Sequence, residues 1–214
     1  MARLTNAERG FFKLVRQAVL ANPFSDVREG LDLTIAGCRE KAYGPEVVAT
    51  AVQEVQRRVD DLEQDRKADI RLYKGQDRSL MESTFLHDAF HRFIPQFDGL
   101  IADQLAAGDK NLKVAFAPQA LALLRKRGFS SETAQRYFEL CFQLRRAFFF
   151  IQKNLVGCSP CMRKLRERLW NNVFTHNLDW YEHYLWNRME DFSTLIIGPT
   201  GAGKGTAAVA IGRS

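Results

Sequence analysis

No stretch of this sequence stays apolar for the ~18–20 residues that cross a bilayer, so no membrane-spanning helix and no membrane partner are expected. No secretory leader is expected either, because Glu8, Arg9, Lys13 and Arg16 interrupt any apolar core near the start. Cysteine is scarce, with 4 in 214 residues. Without a leader, that argues against a disulfide framework and for a reducing cytoplasm. Neither sign of charge prevails strongly: 31 Lys and Arg against 25 Asp and Glu leave a net +6. The cations are spread along several segments, so the balance permits nucleic-acid contact without arguing for it. Alternating strand patterns are absent before residue 194, and no segment repeats.

What remains is helix, unusually rich in Phe at 16 residues. The first helix, about Thr5 to Ala21, sets Phe11, Val15, Ala18 and Val19 on one face and ends at Asn22-Pro23. Gly44-Pro45 opens a long helix whose Val48, Val52, Val55, Val59 and Leu62 alternate by four and three. That seam stops at Arg66, which reads as bundle core rather than a free zipper. A third helix carries Phe85, Leu86, Phe90, Phe93, Phe97, Leu100 and Ile101, with a kink at Pro95. Pro118 to Arg127 is a short helix closed by Gly128. Ser130 or Ser131 caps a fifth, with Ala134, Phe138, Cys141, Leu144, Phe148 and Ile151 inward.

Gly157 marks a boundary, after which Ser159 is an N-cap and Pro160 the first helical residue. This helix is expected to bury Met162, Leu165, Leu169 and Val173 and to expose Arg163, Lys164, Arg166 and Arg168. Thr175-His176-Asn177 offers the next cap, before an apolar stripe of Leu178, Tyr181, Leu185 and Met189. The fold class expected is mainly α. A helical regulatory or sensor domain spans 1–156, and 157–214 carries the first strand, loop and helix of an α/β domain.

The chemistry concentrates in Thr194-Leu-Ile-Ile-Gly198-Pro199-Thr200-Gly201-Ala202-Gly203-Lys204-Gly205-Thr206, followed by Ala207-Ala-Val-Ala-Ile211. An apolar run, a G-x-x-x-x-G-K turn and a helix-forming segment make the layout of a phosphate-binding loop. Glycines let successive backbone N–H groups curl around a phosphate, and the helix N-terminus adds a favourable dipole. The expected nucleotide-binding residues are Gly198, Pro199, Thr200, Gly201, Ala202, Gly203, Lys204, Gly205 and Thr206, with ATP as ligand and Mg²⁺ accompanying it in a complete domain. Lys204 reaches the β/γ-phosphates and Thr206 sits near the α-phosphate. Gly205 supplies no hydroxyl to Mg²⁺ where the usual Ser or Thr stands. No catalytic or metal-ligating residue is assigned. The later strands that hold Mg²⁺ and orient an attacking water do not follow Lys204 in this sequence. It is therefore expected to be the front part of something longer, inactive as an ATPase by itself.

Two motifs in this order resemble one family. Gly157-Cys-Ser159-Pro160-Cys-Met162-Arg-Lys-Leu165-Arg166 is similar to the opening of the AAA+ domain of sigma-54-dependent bacterial transcription activators. Leu195-Ile-Ile-Gly198-Pro-Thr-Gly201-Ala-Gly203-Lys204, with Ala208-Val-Ala210-Ile211, resembles that domain's first strand, Walker A loop and helix. The resemblance covers about residues 157–214. It implies an ATP-driven ring that remodels polymerase carrying sigma-54, regulated by an N-terminal sensor and bound to DNA through a C-terminal helix-turn-helix. Contacts with polymerase and DNA, and any homo-oligomer, belong to parts of the family not represented here. Three features depart from the family: a longer spacing between the motifs with an aromatic helix around Trp180 to Trp186, Gly205 where Glu is usual, and the absent downstream elements. Gly203-Lys204-Gly205-Thr206 also resembles nucleoside monophosphate kinases, but those place the loop near the chain start. A third reading is a non-enzymatic helical interaction module with a vestigial loop.

Other clusters are weighed against plainer roles. Cys158-Ser-Pro-Cys161 has redox or half-zinc spacing, yet only His176 and His183 lie nearby, so the cysteines read as small helix-start residues. His87 and His91 have a metal-compatible i, i+4 spacing around Asp88, but no third ligand is obvious, and two polar-face histidines are the expectation. Arg145-Arg146-Ala-Phe148-Phe149-Phe150 mixes cations and aromatics, and amphipathic packing accounts for it. Trp170, Trp180 and Trp186 could face a purine but are expected to pack the extra helix.

Overall fold

The computed structural model describes residues 2–38, 40, 42–108, 110–175, 181–185 and 193–213, with 182 and 183 described in backbone only. The described residues form α1 (Asn6–Leu20), α2 (Asp26–Ile35), α3 (Pro45–Gln64), α4 (Gly75–Arg92), α5 (Ile94–Ala107), α6 (Ala117–Lys126), α7 (Ser131–Asn154), α8 (Pro160–Phe174) and α9 (Lys204–Gly212). Short 3-10 and π turns lie at Ile70–Leu72 and Tyr181–Leu185. The protein is mainly α. No strand occurs among the described residues, and no helix among them is long and apolar enough to cross a membrane.

Local chemistry explains where several helices begin. Thr5 and Glu8 close a reciprocal capping box on α1: Thr5 Oγ1 accepts from Glu8 N at 3.2 Å, and Glu8 Oε2 accepts from Thr5 N at 2.7 Å. Pro45 stands in the first turn of α3 after Gly44, where a missing N–H costs nothing. Ser130 Oγ accepts from Thr133 N at 3.1 Å and so caps α7. The long apolar helix expected through Pro95 is instead two helices, broken at Phe93, with Pro95 in the first turn of α5. A proline in the first turn removes only an orphan N–H, so a break is cheaper than a kinked interior.

Apolar periodicity misses α2 altogether. Its buried residues are Asp32 and Ile35, while Val27 is 67% exposed, so its inward stripe is not an apolar one. Asp32 is satisfied by the Tyr43 hydroxyl, which donates to Oδ2 at 2.9 Å.

The chain divides into two compact units. The first comprises Met1–Val19 and Gly30–Phe142; the second comprises Leu20–Glu29 and Gln143–Ser214. In the first, Phe12 and Val15 of α1, Val55 and Val59 of α3, Leu80, Met81 and Phe85 of α4, and Leu124 of α6 share one core. A phenylalanine cluster adds to it: the ring of Phe97 lies 5.2 Å from Phe116 edge-on and 5.5 Å from Phe138. Edge-to-face rings place positive edges on negative faces, adding to their area burial.

The second unit is held by Phe24, stacked on Phe148 at 5.1 Å, and by Trp170, 4.6 Å from Phe174. Asn22 Nδ2 donates to Glu167 O at 2.9 Å and to Asn171 Oδ1 at 2.8 Å, tying residues 20–29 to α8. α7 contributes to both units: Ala134 and Leu140 are buried before Phe142, and Ala147, Phe150 and Ile151 after it. Of the stripe expected along it, Ala134 and Ile151 are buried, whereas Phe138, Cys141, Leu144 and Phe148 are half-buried.

Candidate nucleotide-binding loop

The loop lies in the second unit, between residue 193 and α9. Thr194 Oγ1 donates to Asn172 Oδ1 at 2.9 Å and fastens the entry to α8. Residues 194–197 form no strand, and Leu195 and Ile197 are 83% and 84% exposed. A strand exists only as part of a ladder, since its N–H and C=O groups need partners on a neighbouring segment. No such segment is present among the described residues.

From Gly198 the chain turns. Ala202 N donates to Pro199 O at 3.3 Å, and Gly201 and Gly203 take φ of +80° and +79°, the left-handed region that favours glycine. Gly203 is the N-cap of α9, and Ala207 N donates back to Gly203 O at 3.1 Å. Lys204 is the first residue of that helix. Its Nζ folds over the loop and donates to Gly198 O at 2.8 Å and Pro199 O at 2.7 Å. The ammonium thus closes a ring around Pro199–Gly203, using carbonyls in place of anions. A Cβ built at Gly201, Gly203 or Gly205 meets nothing within 4 Å. The two left-handed glycines are needed for backbone angle, and the space over them is open.

α9 docks through small side chains: Ala207 and Ala210 are buried, while Val209 is 46% exposed. Its end is anchored by Arg146 of α7, whose Nε donates to Arg213 O at 2.7 Å. Asn172 therefore holds the entry to the loop and Arg146 the far end of its helix, contacts that no local pattern in the sequence signals. The cation-rich Arg145–Phe150 stretch is packing: the Arg145 guanidinium lies 5.2 Å from the Phe148 ring, and Phe150 is buried.

All nine sequence-expected residues from Gly198 to Thr206 come together in this turn. The turn holds one cation, Lys204, beside two left-handed glycines. For Mg²⁺ the fit is absent on the protein side, since Gly205 has no hydroxyl and no group of three or more His, Cys, Asp or Glu able to hold a metal occurs among the described residues.

The other candidates resolve differently. His87 is buried, not on a polar face, with its ring 4.3 Å from that of His91. Between them, Asp88 is buried in an ionic network of the first unit. Its Oδ1 accepts from Arg92 Nε at 2.8 Å, Arg92 Nη2 donates to Asp60 Oδ1 at 2.7 Å, and Arg127 Nη2 lies 3.7 Å from Asp88 Oδ2 and 2.8 Å from Glu63 Oε2. Burial pushes the Asp88 carboxyl above its ordinary range against the pull of Arg92 and Arg127. Lys126 beside Glu63, with help from Arg127, holds that carboxyl low.

Arg166, expected outside, is buried: its Nε and Nη2 donate to Leu155 O at 3.0 and 2.6 Å. Trp170 belongs to the second unit's core, while Trp180, Trp186 and His176, with the Leu178 and Met189 positions, lie outside the described residues, as does the His183 side chain. Comparison with protein-family models, curated proteins and solved structures returned no match.

Proposed function

We propose that residues 198–206 bind the phosphates of a nucleotide, ATP foremost, within a cytoplasmic regulator of the sigma-54-dependent activator type. The observation that carries this reading is the Gly203–Lys204 junction. Two left-handed glycines lead directly into a helix whose first residue is a lysine with its ammonium curled over the turn. Backbone N–H groups from Gly201 to Gly205 hold the phosphates, and Lys204 exchanges its two carbonyl partners for phosphate oxygens. Thr206 stands beside the α-phosphate. Bound ATP supplies a chain of anionic oxygens that would hold Mg²⁺ without a ligand from Gly205, which has no hydroxyl directly after the lysine. Residues 194–197 are, in this reading, the first strand of an α/β AAA+ domain, ordered when neighbouring strands lie beside them. The helical part upstream is the sensor.

Titration calorimetry with ATP on the 214-residue chain is the test. Weak binding is expected, because ordering the exposed loop is charged to the binding step, and Lys204→Ala is expected to weaken it at least about tenfold, the loss of one charge-assisted contact. Equal heats for the two proteins would leave the helical interaction module as the better reading. No Asp or Glu follows Asp191 in this chain, so ATP is expected to be bound without turnover. Steady phosphate release abolished by Lys204→Ala would overturn that expectation.

A further inference from the structure

The start of α8 carries chemistry that the nucleotide loop does not use. Cys158 and Cys161 are both exposed, whereas Cys38 and Cys141 are only partly so. Burial pushes the Cys141 thiol up to about 12, which keeps it in the unreactive form. Cys158 and Cys161 flank the N-cap: Ser159 has φ −63° and ψ 152°, and its Oγ accepts from Met162 N at 3.3 Å. The turn before them is held from inside by Arg166, which donates to Leu155 O and Gly157 O. Two exposed thiols three residues apart are thus fixed to the rim of one helix.

We infer that Cys158 and Cys161 are a reversible dithiol–disulfide pair, and that forming the bond releases the Ser159 cap. In a continuous helical turn, Cα atoms at i and i+3 lie about 5 Å apart, inside the range of about 4.4–6.8 Å that a disulfide spans. The extended Ser159 opens this turn, so bridging draws its backbone toward helical angles and takes Oγ away from the Met162 amide. The cap and the disulfide compete. Such a bond is exposed and strained, hence easily reduced, as regulatory disulfides are. The oxidant is a low-molecular-weight dialkyl disulfide. One cysteine thiolate attacks it and expels a small thiol; the second thiolate then displaces the other small thiol from the mixed disulfide. Two electrons pass to the small disulfide, and the two cysteine protons end on the released thiols.

The test equilibrates the full 214-residue chain with graded ratios of reduced and oxidised glutathione, followed by acid quench, alkylation and peptide mass spectrometry. Residues 158 and 161 are expected to lose two hydrogens together as one couple, unchanged when Cys38 and Cys141 are both replaced by Ser. Ser159→Ala is expected to raise the oxidised-to-reduced ratio about fivefold at a fixed glutathione ratio, the weight of one N-cap bond. In the wild type, oxidation is expected to speed hydrogen exchange at Met162. Thiols that stay alkylatable throughout, or that each retain a separate glutathione, overturn the pair. A bridge that forms with neither the Ser159→Ala shift nor the change at Met162 overturns its coupling to the cap.

Discussion

Arg127 is the largest side chain fully buried in the described residues, and its neighbour Gly128 closes the turn after α6, donating to Arg125 O at 3.0 Å. Arg127 O accepts from Ile70 N at 2.9 Å, and Gly128 then turns with φ +93° against Asp69. A Cβ at Gly128 would lie 2.2 Å from Asp69 Oδ1, an atom engaged by Arg71 N at 2.8 Å and by the Arg71 side chain. Gly128→Ala is therefore expected to cost about 3 kcal/mol, combining a strained left-handed residue with a clash. Gly37, at φ +65° with open space around it, supplies the control: Gly37→Ala is expected to cost only about 1 kcal/mol. Urea unfolding of both variants checks the pair, and equal losses would show that the contact with Asp69 relaxes freely. Met81, Phe85 and Asp88 follow one another by four and three along α4, as do Ala120, Leu124 and Arg127 at the end of α6, so each buried charge continues a buried stripe. Which charge meets which is not a property of either helix alone.

At the scale of elements, ends were easier to read than faces. Caps are local: Ser159-Pro160, Gly44-Pro45 and Ser130 act over a few residues and stand where the pattern puts them. The Thr5–Glu8 box works in the same way, with Thr5 donating and accepting at the mouth of α1. Thr5→Ala is expected to lower stability by about 1 kcal/mol and to speed amide exchange in the first turn of α1 alone; exchange that rises uniformly over the first unit would contradict this. Faces are not local. α2 hides because its inward stripe includes Asp32, and the stripe expected for α7 is fully buried at Ala134 and Ile151 but only half-buried between them. The loop before α9 is intermediate. Its turn and helix start are determined by Gly201, Gly203 and Lys204, whereas the strand before it depends on partners that residues 194–197 do not contain.

For the molecule as a whole, ionisation decides the response to acid. Asp77, held low chiefly by Arg9, and Glu63, held low chiefly by Lys126, have folded pKa values below their unfolded ones. Their stabilisation is present above the unfolded value of about 4 and is lost as pH falls through the depressed folded values. Asp88 works the other way: its folded pKa is raised, so protonation in acid relieves a cost and offsets part of that loss. Asp77→Asn should flatten the acid limb of a stability profile, and Asp88→Asn should steepen it. Urea midpoints across the acid range test both signs, and an Asp88→Asn profile parallel to the wild type would refute the second. The unit division carries another expectation. A fragment of residues 1–156 retains the first unit but removes Glu167 and Asn171, the partners of the Asn22 side chain in α8, and Trp170, leaving Phe24 its stack on Phe148. Hydrogen exchange should find 20–29 unprotected in that fragment while Phe12, Val55 and Phe85 amides stay protected; protection retained at 20–29 would place that segment with the first unit instead.

By itself, the sequence determined the helical character, most helix starts, and the nine residues of the candidate loop. These follow from short-range causes: a 3.6-residue repeat, a side-chain oxygen within reach of a free N–H, and a left-handed angle that glycine adopts without strain. The tertiary structure alone decided that Asp88, Arg127 and Arg166 lie inside, that residues 20–29 join α8, that α7 is shared by both units, and that Arg146 holds the end of α9. A charge enters a core only when an opposite charge or a free carbonyl from a distant segment meets it there, since burial without a partner costs more than the helix gains. The pairing partners stand at separations such as 39 residues for Asp88 and Arg127, taken from their numbers, where no local pattern can join them.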